Sequence, residues 1–141
     1  MDELLIFGTL FIGVVALVIV WYVLQVLAYW KIFQKAGIEG WKSLIPIYNT
    51  YYEYKISWRT DVYWAWLACM VATLILGRFD MGTALAGACQ VACFILGIIQ
   101  SHKLSKAFGH GAGFTVGLVL LNPIFKLILG FGSSQYLGPQ E

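Results

Sequence analysis

Few side chains in this 141-residue chain are suited to chemistry: seven carboxylates, nine lysines and arginines, two histidines and three cysteines. Glu53 and His102 are the only plausible acid–base pair, for an enzyme working on a lipid headgroup, and nothing in their spacing holds them together. His102 and His110 flank a glycine-containing stretch that fixes no ligand geometry, with no carboxylate or cysteine close by in sequence, so both read as solvated interfacial groups. Cys89 and Cys93 stand one helical turn apart and Cys69 lies alone, all in apolar runs. Metal binding needs thiolates, which such surroundings disfavour, so the three read as small buried hydrophobes without a disulfide. No phosphate loop, nucleophile elbow, zinc-binding helix or dinucleotide fingerprint occurs. The expectation is a protein with no catalytic residue, metal or cofactor, and not an enzyme.

More informative are the polar and small residues inside apolar runs. At 100° per residue, Gly82, Thr83, Ala86, Gln90, Cys93, Gly97 and Gln100 fall within about a third of a helix circumference. Such a stripe either lines a water-filled path or packs closely against a neighbouring helix, its glutamines hydrogen-bonding across. With no acidic residue in it, packing is expected. Asn122-Pro123 lies inside another apolar run; proline there strips a backbone bond from the carbonyl at Val119, so a kink that shapes the bundle is expected ahead of a cation site. Lys126 lies about five residues from that run's end and is expected to snorkel to the interface. Gln90, Cys93, Gly97, Gln100, Asn122 and Pro123 are therefore the pore or packing candidates, while Gly113/Gly117 and Thr9/Gly13 are further expected packing contacts.

These residues need elements to carry them. The chain is 60% hydrophobic and 11% charged, against roughly 45–50% and about 25% for a soluble domain. That excludes a soluble enzyme, a disordered tail and a nucleic-acid-binding domain. The reading is an all-α integral membrane protein, one domain over 1–141, with four transmembrane helices at about 4–30, 61–77, 81–101 and 112–131. The first run is a poor signal peptide, being acidic at Asp2 and Glu3 and too long. Seven of the nine basic residues (Lys31, Lys35, Lys42, Lys55, Arg59, Lys103 and Lys106) fall between spans 1 and 2 or between spans 3 and 4. The positive-inside rule then places loops 31–60 and 102–111 in the cytoplasm and both termini outside.

The first of these loops is not a generic linker. Gly37 and Gly40 interrupt any helix continuing from the first span, and Pro46 suits the first turn of a new one. Ile45, Tyr48, Tyr52 and Ile56 then repeat at helical spacing, with Tyr51 and Lys55 on the flank and Asn49 and Glu53 sharing a face. The expectation is a short interfacial helix over about 45–58, lying at the headgroup level. Its lipid- or partner-contact candidates are Trp41, Lys42, Tyr48, Asn49, Tyr52, Glu53, Lys55 and Trp58, and its lysines and aromatics suit anionic lipid headgroups.

The string Gly37-x-x-Gly40-Trp41-x-x-x-Ile45-Pro46-x-Tyr48-Asn49, with the closing Asn122-Pro-Ile-Phe-Lys-Leu-Ile-Leu-Gly-Phe-Gly-Ser-Ser-Gln-Tyr136, resembles a family of small bacterial four-span membrane proteins of unknown function. The resemblance implies the bacterial cytoplasmic membrane and no transferable activity. Some members carry a signal-peptidase-like label, but the outer-side serines expected here, Ser133 and Ser134, have only Lys126 near them, at the membrane boundary. The functional expectation is a structural or interaction unit that self-associates or joins another membrane protein. The alternative is a homo-oligomeric channel or small-solute transporter lined by Gln90, Gln100 and Asn122.

Overall fold

The structure is a computed structural model that describes residues 1–140, apart from the side chain of Met81. All regular structure among the described residues is helical: α1 (Asp2–Lys35), α2 (Pro46–Ser57), α3 (Thr60–Leu76), α4 (Thr83–Ala107), α5 (Ala112–Leu120) and α6 (Asn122–Phe131), with single 3-10 turns at Gly40–Ser43 and Asp80–Gly82. Helices α1 and α4 are long and apolar enough to cross a membrane; α3 and α6 are apolar but shorter. At 1.5 Å per residue α1 is about 51 Å long. Its N-terminal two-thirds stands clear of the rest of the chain, with no buried residue before Ala28.

Proline starts α2 at its first position, as the sequence predicts. This helix lies across one end of the molecule, against α3 and α4, and α3 and α4 form an antiparallel pair joined by the turn at Gly77–Gly82. The apolar core gathers at that same end, where Ile32 and Phe33 of α1, Ile56 of α2, Leu104 and Ala107 of α4, Phe108, Leu118 of α5 and Leu129 of α6 meet.

The single span expected over 112–131 is replaced by a helical hairpin. Leu121 leaves helical geometry (φ −128°, ψ 48°), ending α5 and starting α6. The rings of Phe114 and Phe125 then pack edge to face with centroids 5.0 Å apart, where an unbroken helix would hold them about 16 Å apart along its axis. Gly117 faces the Phe125 ring so closely that any side chain there would collide with it. The physical reason is the proline: Pro123 has no N–H to continue the ladder, and α6 restarts with it at its first turn.

Folding back also moves the tail. Helix α6 runs beside the C-terminal part of α1, where Gly130 lies against the Ala28 backbone, leaving 2.7 Å between a notional Cβ and the Ala28 carbonyl oxygen. Lys35 Nζ donates to the carbonyls of Leu129 (2.7 Å) and Gly132 (2.9 Å), covering the end of α6. Beyond it, the Leu137 N–H donates to Ala107 O (2.7 Å), the Gln140 N–H to Ser57 O (3.0 Å) and the Tyr136 hydroxyl to Ile56 O (2.7 Å). The tail therefore lies at the same end as loops 31–60 and 102–111, and the expectation that both termini face away from those loops is overturned for the C-terminal one.

Candidate functional site

A polar cluster sits where α1, α2, α4 and α6 converge. Its centre is Glu53 of α2, whose carboxylate receives a hydrogen bond from Lys126 Nζ of α6, from the Tyr29 hydroxyl of α1 (3.1 Å) and from Gln100 Nε2 of α4 (3.1 Å). Lys126 also donates to the Tyr29 oxygen (2.7 Å) and lies 4.4 Å from that ring's centroid. Gln100 shares its amide with Ser57 Oγ (3.2 Å), and Ser57 donates to the Glu53 carbonyl (2.6 Å). The Lys126 and Glu53 side chains are 3% and 9% exposed. No buried side-chain N or O among the described residues lacks a partner. A buried charge is tolerable only when paired and fully hydrogen-bonded, and this cluster meets both conditions.

Above the cluster opens a groove of about 450 Å³. Glu53, Thr50 and Tyr54 form its floor, Trp66 and Met70 of α3 one wall, and Leu118, Val119, Asn122 and Lys126 of the hairpin the other. Helix α4 contributes from Gln90 to Ser101, about 16 Å of its length. Cys93 Sγ donates to the Trp66 carbonyl at 3.7 Å. The groove exists because the α5–α6 hairpin turns back at Leu121, where a full-length helix would have continued along α4.

Of the sequence-predicted pore or packing residues, Gln90, Cys93, Gly97, Gln100 and Asn122 all line this one groove. Pro123 does not; it serves the hairpin, and its carbonyl accepts a hydrogen bond from Gln25 Nε2 (3.4 Å). Lys126 is corrected from a snorkelling interfacial lysine to the buried partner of Glu53, because α6 carries it toward α2 rather than away from it. Glu53 in turn leaves the surface-contact set. Asn49 also acts internally, donating to the Ser43 carbonyl (3.2 Å) and so pinning the 3-10 turn onto α2. Trp58 lies under Lys103, with Nζ 5.8 Å from the ring centroid.

Trp41, Lys42, Tyr48, Tyr52 and Lys55 do form one surface ridge. The Tyr48 and Tyr52 hydroxyls are 3.1 Å apart, and the Trp41 and Tyr48 ring centroids 6.2 Å apart. The histidines go to separate partners: His102 Nδ1 to Thr115 Oγ1 (3.0 Å), and His110 Nε2 to Ser134 Oγ (2.6 Å) with the His110 ring stacked on Phe114. His102 and Glu53 are not brought together as an acid–base pair. Of the expected small-residue contacts, Gly117 packs within the hairpin, whereas Gly13 and Gly113 would meet nothing within 4 Å.

Sequence reasoning missed Tyr29 and Ser57 and misplaced Lys126. The available signal was the lone lysine inside an apolar run, whose cost is met most directly by a carboxylate elsewhere in the chain.

Residues 41–139 match a family of unknown function, DUF5684, and the chain belongs to that family. The match begins at Trp41, so α1 and its Tyr29 lie before it. Comparison with curated proteins and with solved structures found no match.

Proposed function

We propose that this is a multi-pass protein of the bacterial cytoplasmic membrane that admits a small polar solute to the groove between α3/α4 and the α5–α6 hairpin. In this reading α1, α3 and α4 cross the bilayer. The hairpin dips in from the cytoplasmic side, and α2, loops 31–60 and 102–111 and the tail lie at the cytoplasmic face, in keeping with the seven basic residues there. The observation that carries the proposal is the convergence of Gln90, Gln100, Asn122 and the Glu53–Lys126 pair on one groove. A broken helix and a row of amides are costly against hydrocarbon and are tolerated where they border water. The close packing expected for the α4 stripe is not favoured at its middle, since Gln90 is exposed and Gly97 has open space beside it.

Cysteine accessibility tests this. In a background with Cys69, Cys89 and Cys93 replaced by alanine, Gln90→Cys and Asn122→Cys in intact membranes are expected to react with a membrane-impermeant thiosulfonate. Val91→Cys, one residue round the helix and 58% exposed, is expected to be protected. Equal protection at all three positions would mean a dry groove and end the reading.

A second reading rests on a separate observation. No residue of α1 before Gln25 is buried against its own chain, which favours a role as an arm that pairs with another copy or another membrane protein. Crosslinking through Gly13→Cys in native membranes is expected to trap such a neighbour. A protein that stays monomeric and crosslinks to nothing removes that role.

A further inference from the structure

Beyond the polar groove, the face of α2 turned toward α3 carries a second concavity of different chemistry. Ile45, Ile47, Tyr48, Tyr51, Tyr63 and Trp64 enclose about 400 Å³ and present almost no polar surface. Its walls are fixed by ring packing. Tyr51 meets Tyr63 edge to face at 5.3 Å, Tyr63 meets Trp64 at 5.3 Å, and the Tyr63 hydroxyl donates to the Ile47 carbonyl (3.2 Å). Although the walls are built, their outer atoms are open: Ile47 is 56% and Trp64 59% exposed.

At the edge of this groove, one helical turn along from Tyr48, two ammonium groups converge on one ring. Lys42 Nζ lies 4.6 Å and Lys55 Nζ 5.5 Å from the Tyr52 centroid. Neither has a carboxylate at pairing distance, since the ion pairs among the described residues are Arg59–Asp61 and Glu53–Lys126. The nearest acid in sequence, Glu39, accepts from the Trp41 indole. Two cations over one ring, neither within ion-pairing distance of a carboxylate, beside an apolar slot, complement a molecule with one anionic end and one hydrocarbon end.

We propose that this groove is a binding site for one anionic phospholipid, with an acyl chain lying along the slot over Ile47 and Trp64 and the phosphate held by Lys42 and Lys55. The cation–π contacts hold both lysines over Tyr52, so little side-chain freedom is lost when the phosphate arrives. The lipid would fasten α2 to the bilayer surface without using the Glu53 face, which is turned inward. The site depends on α2 lying at a membrane surface but not on whether the polar groove holds water, so it survives a negative result at Gln90.

The test is native mass spectrometry of the full-length protein released from detergent and titrated with phosphatidylglycerol or phosphatidylcholine. Wild-type protein is expected to retain one phosphatidylglycerol in preference to phosphatidylcholine. The K42A/K55A variant is expected to bind phosphatidylglycerol about 30-fold more weakly, two basic side chains being removed, and phosphatidylcholine unchanged. Trp64→Ala is expected to weaken both lipids, and K103A/K106A, the same two charges lost from the end of α4, neither. Thermal unfolding of each variant verifies that it is folded. Equal retention of the two lipids, undiminished phosphatidylglycerol binding by K42A/K55A, or a protein dimer that excludes lipid and is lost with Trp64→Ala would overturn the proposal.

Discussion

Among the described residues, two ion pairs stand in opposite circumstances. Arg59 and Asp61, two residues apart, meet through Nη2–Oδ2 (2.6 Å) and Nε–Oδ1 (3.0 Å) contacts, with both side chains about 60% exposed. Glu53 and Lys126 are 73 residues apart and nearly inaccessible, and each needs neutral partners as well as the other. The first pair is local and follows from the start of α3. The second depends on α2 and α6 having both arrived, with Tyr29 and Gln100 brought by two further helices. A contact between cation and carboxylate is therefore an incidental surface feature in one place and a condition of the whole fold in the other.

The largest effect that separates them is expected from Lys126→Ala. Losing one partner of a buried pair leaves an uncompensated charge and costs about 3–5 kcal/mol, which detergent-solubilised protein would show as a lowered unfolding midpoint. A smaller effect is expected from Glu53→Gln combined with Lys126→Met. No unpaired charge remains, so most of the lost stability should return. A double variant as unstable as Lys126→Ala alone would mean that the pair contributes through shape rather than charge. The smallest is Arg59→Ala, expected to leave the midpoint unchanged within measurement scatter, because exposed pairs contribute about 0–1 kcal/mol. Raising the salt concentration should likewise spare the buried pair, which solvent ions do not reach. If Arg59→Ala matched Lys126→Ala, burial would not be what distinguishes the two.

Legibility from sequence follows the same division between local and distant. Pro46 and the repeat from Tyr48 to Ile56 mark α2 to within a residue at each end, and the apolar run after Thr60 marks α3. The α5–α6 hairpin was hidden because residues 112–131 have the length and hydrophobicity of one span. Asn122-Pro123 announces a break, but a kink and a reversal look alike until Phe125 is seen against Phe114. Everything downstream of that turn inherited the error: Lys126 at the wrong end, the tail on the wrong face, Glu53 on the surface. The groove fared better. The stripe of α4 is a property of one helix and can be read as such, so Gln90, Cys93, Gly97 and Gln100 group together in the sequence, although packing rather than a groove is what the sequence leads one to expect there.

The 73-residue separation of Glu53 and Lys126 also has a consequence in time. At about 5–20 residues per second, a ribosome that has just completed Glu53 needs roughly 4–15 s to reach Lys126. Throughout that interval the carboxylate lacks the lysine it meets in the folded chain, and a carboxylate without its partner is not readily withdrawn from water. Helix α2 therefore cannot complete the buried arrangement of its Glu53 before Lys126 is made. Its docking waits for α6, so the end of the molecule where α1, α2, α4 and α6 meet is the last part to close.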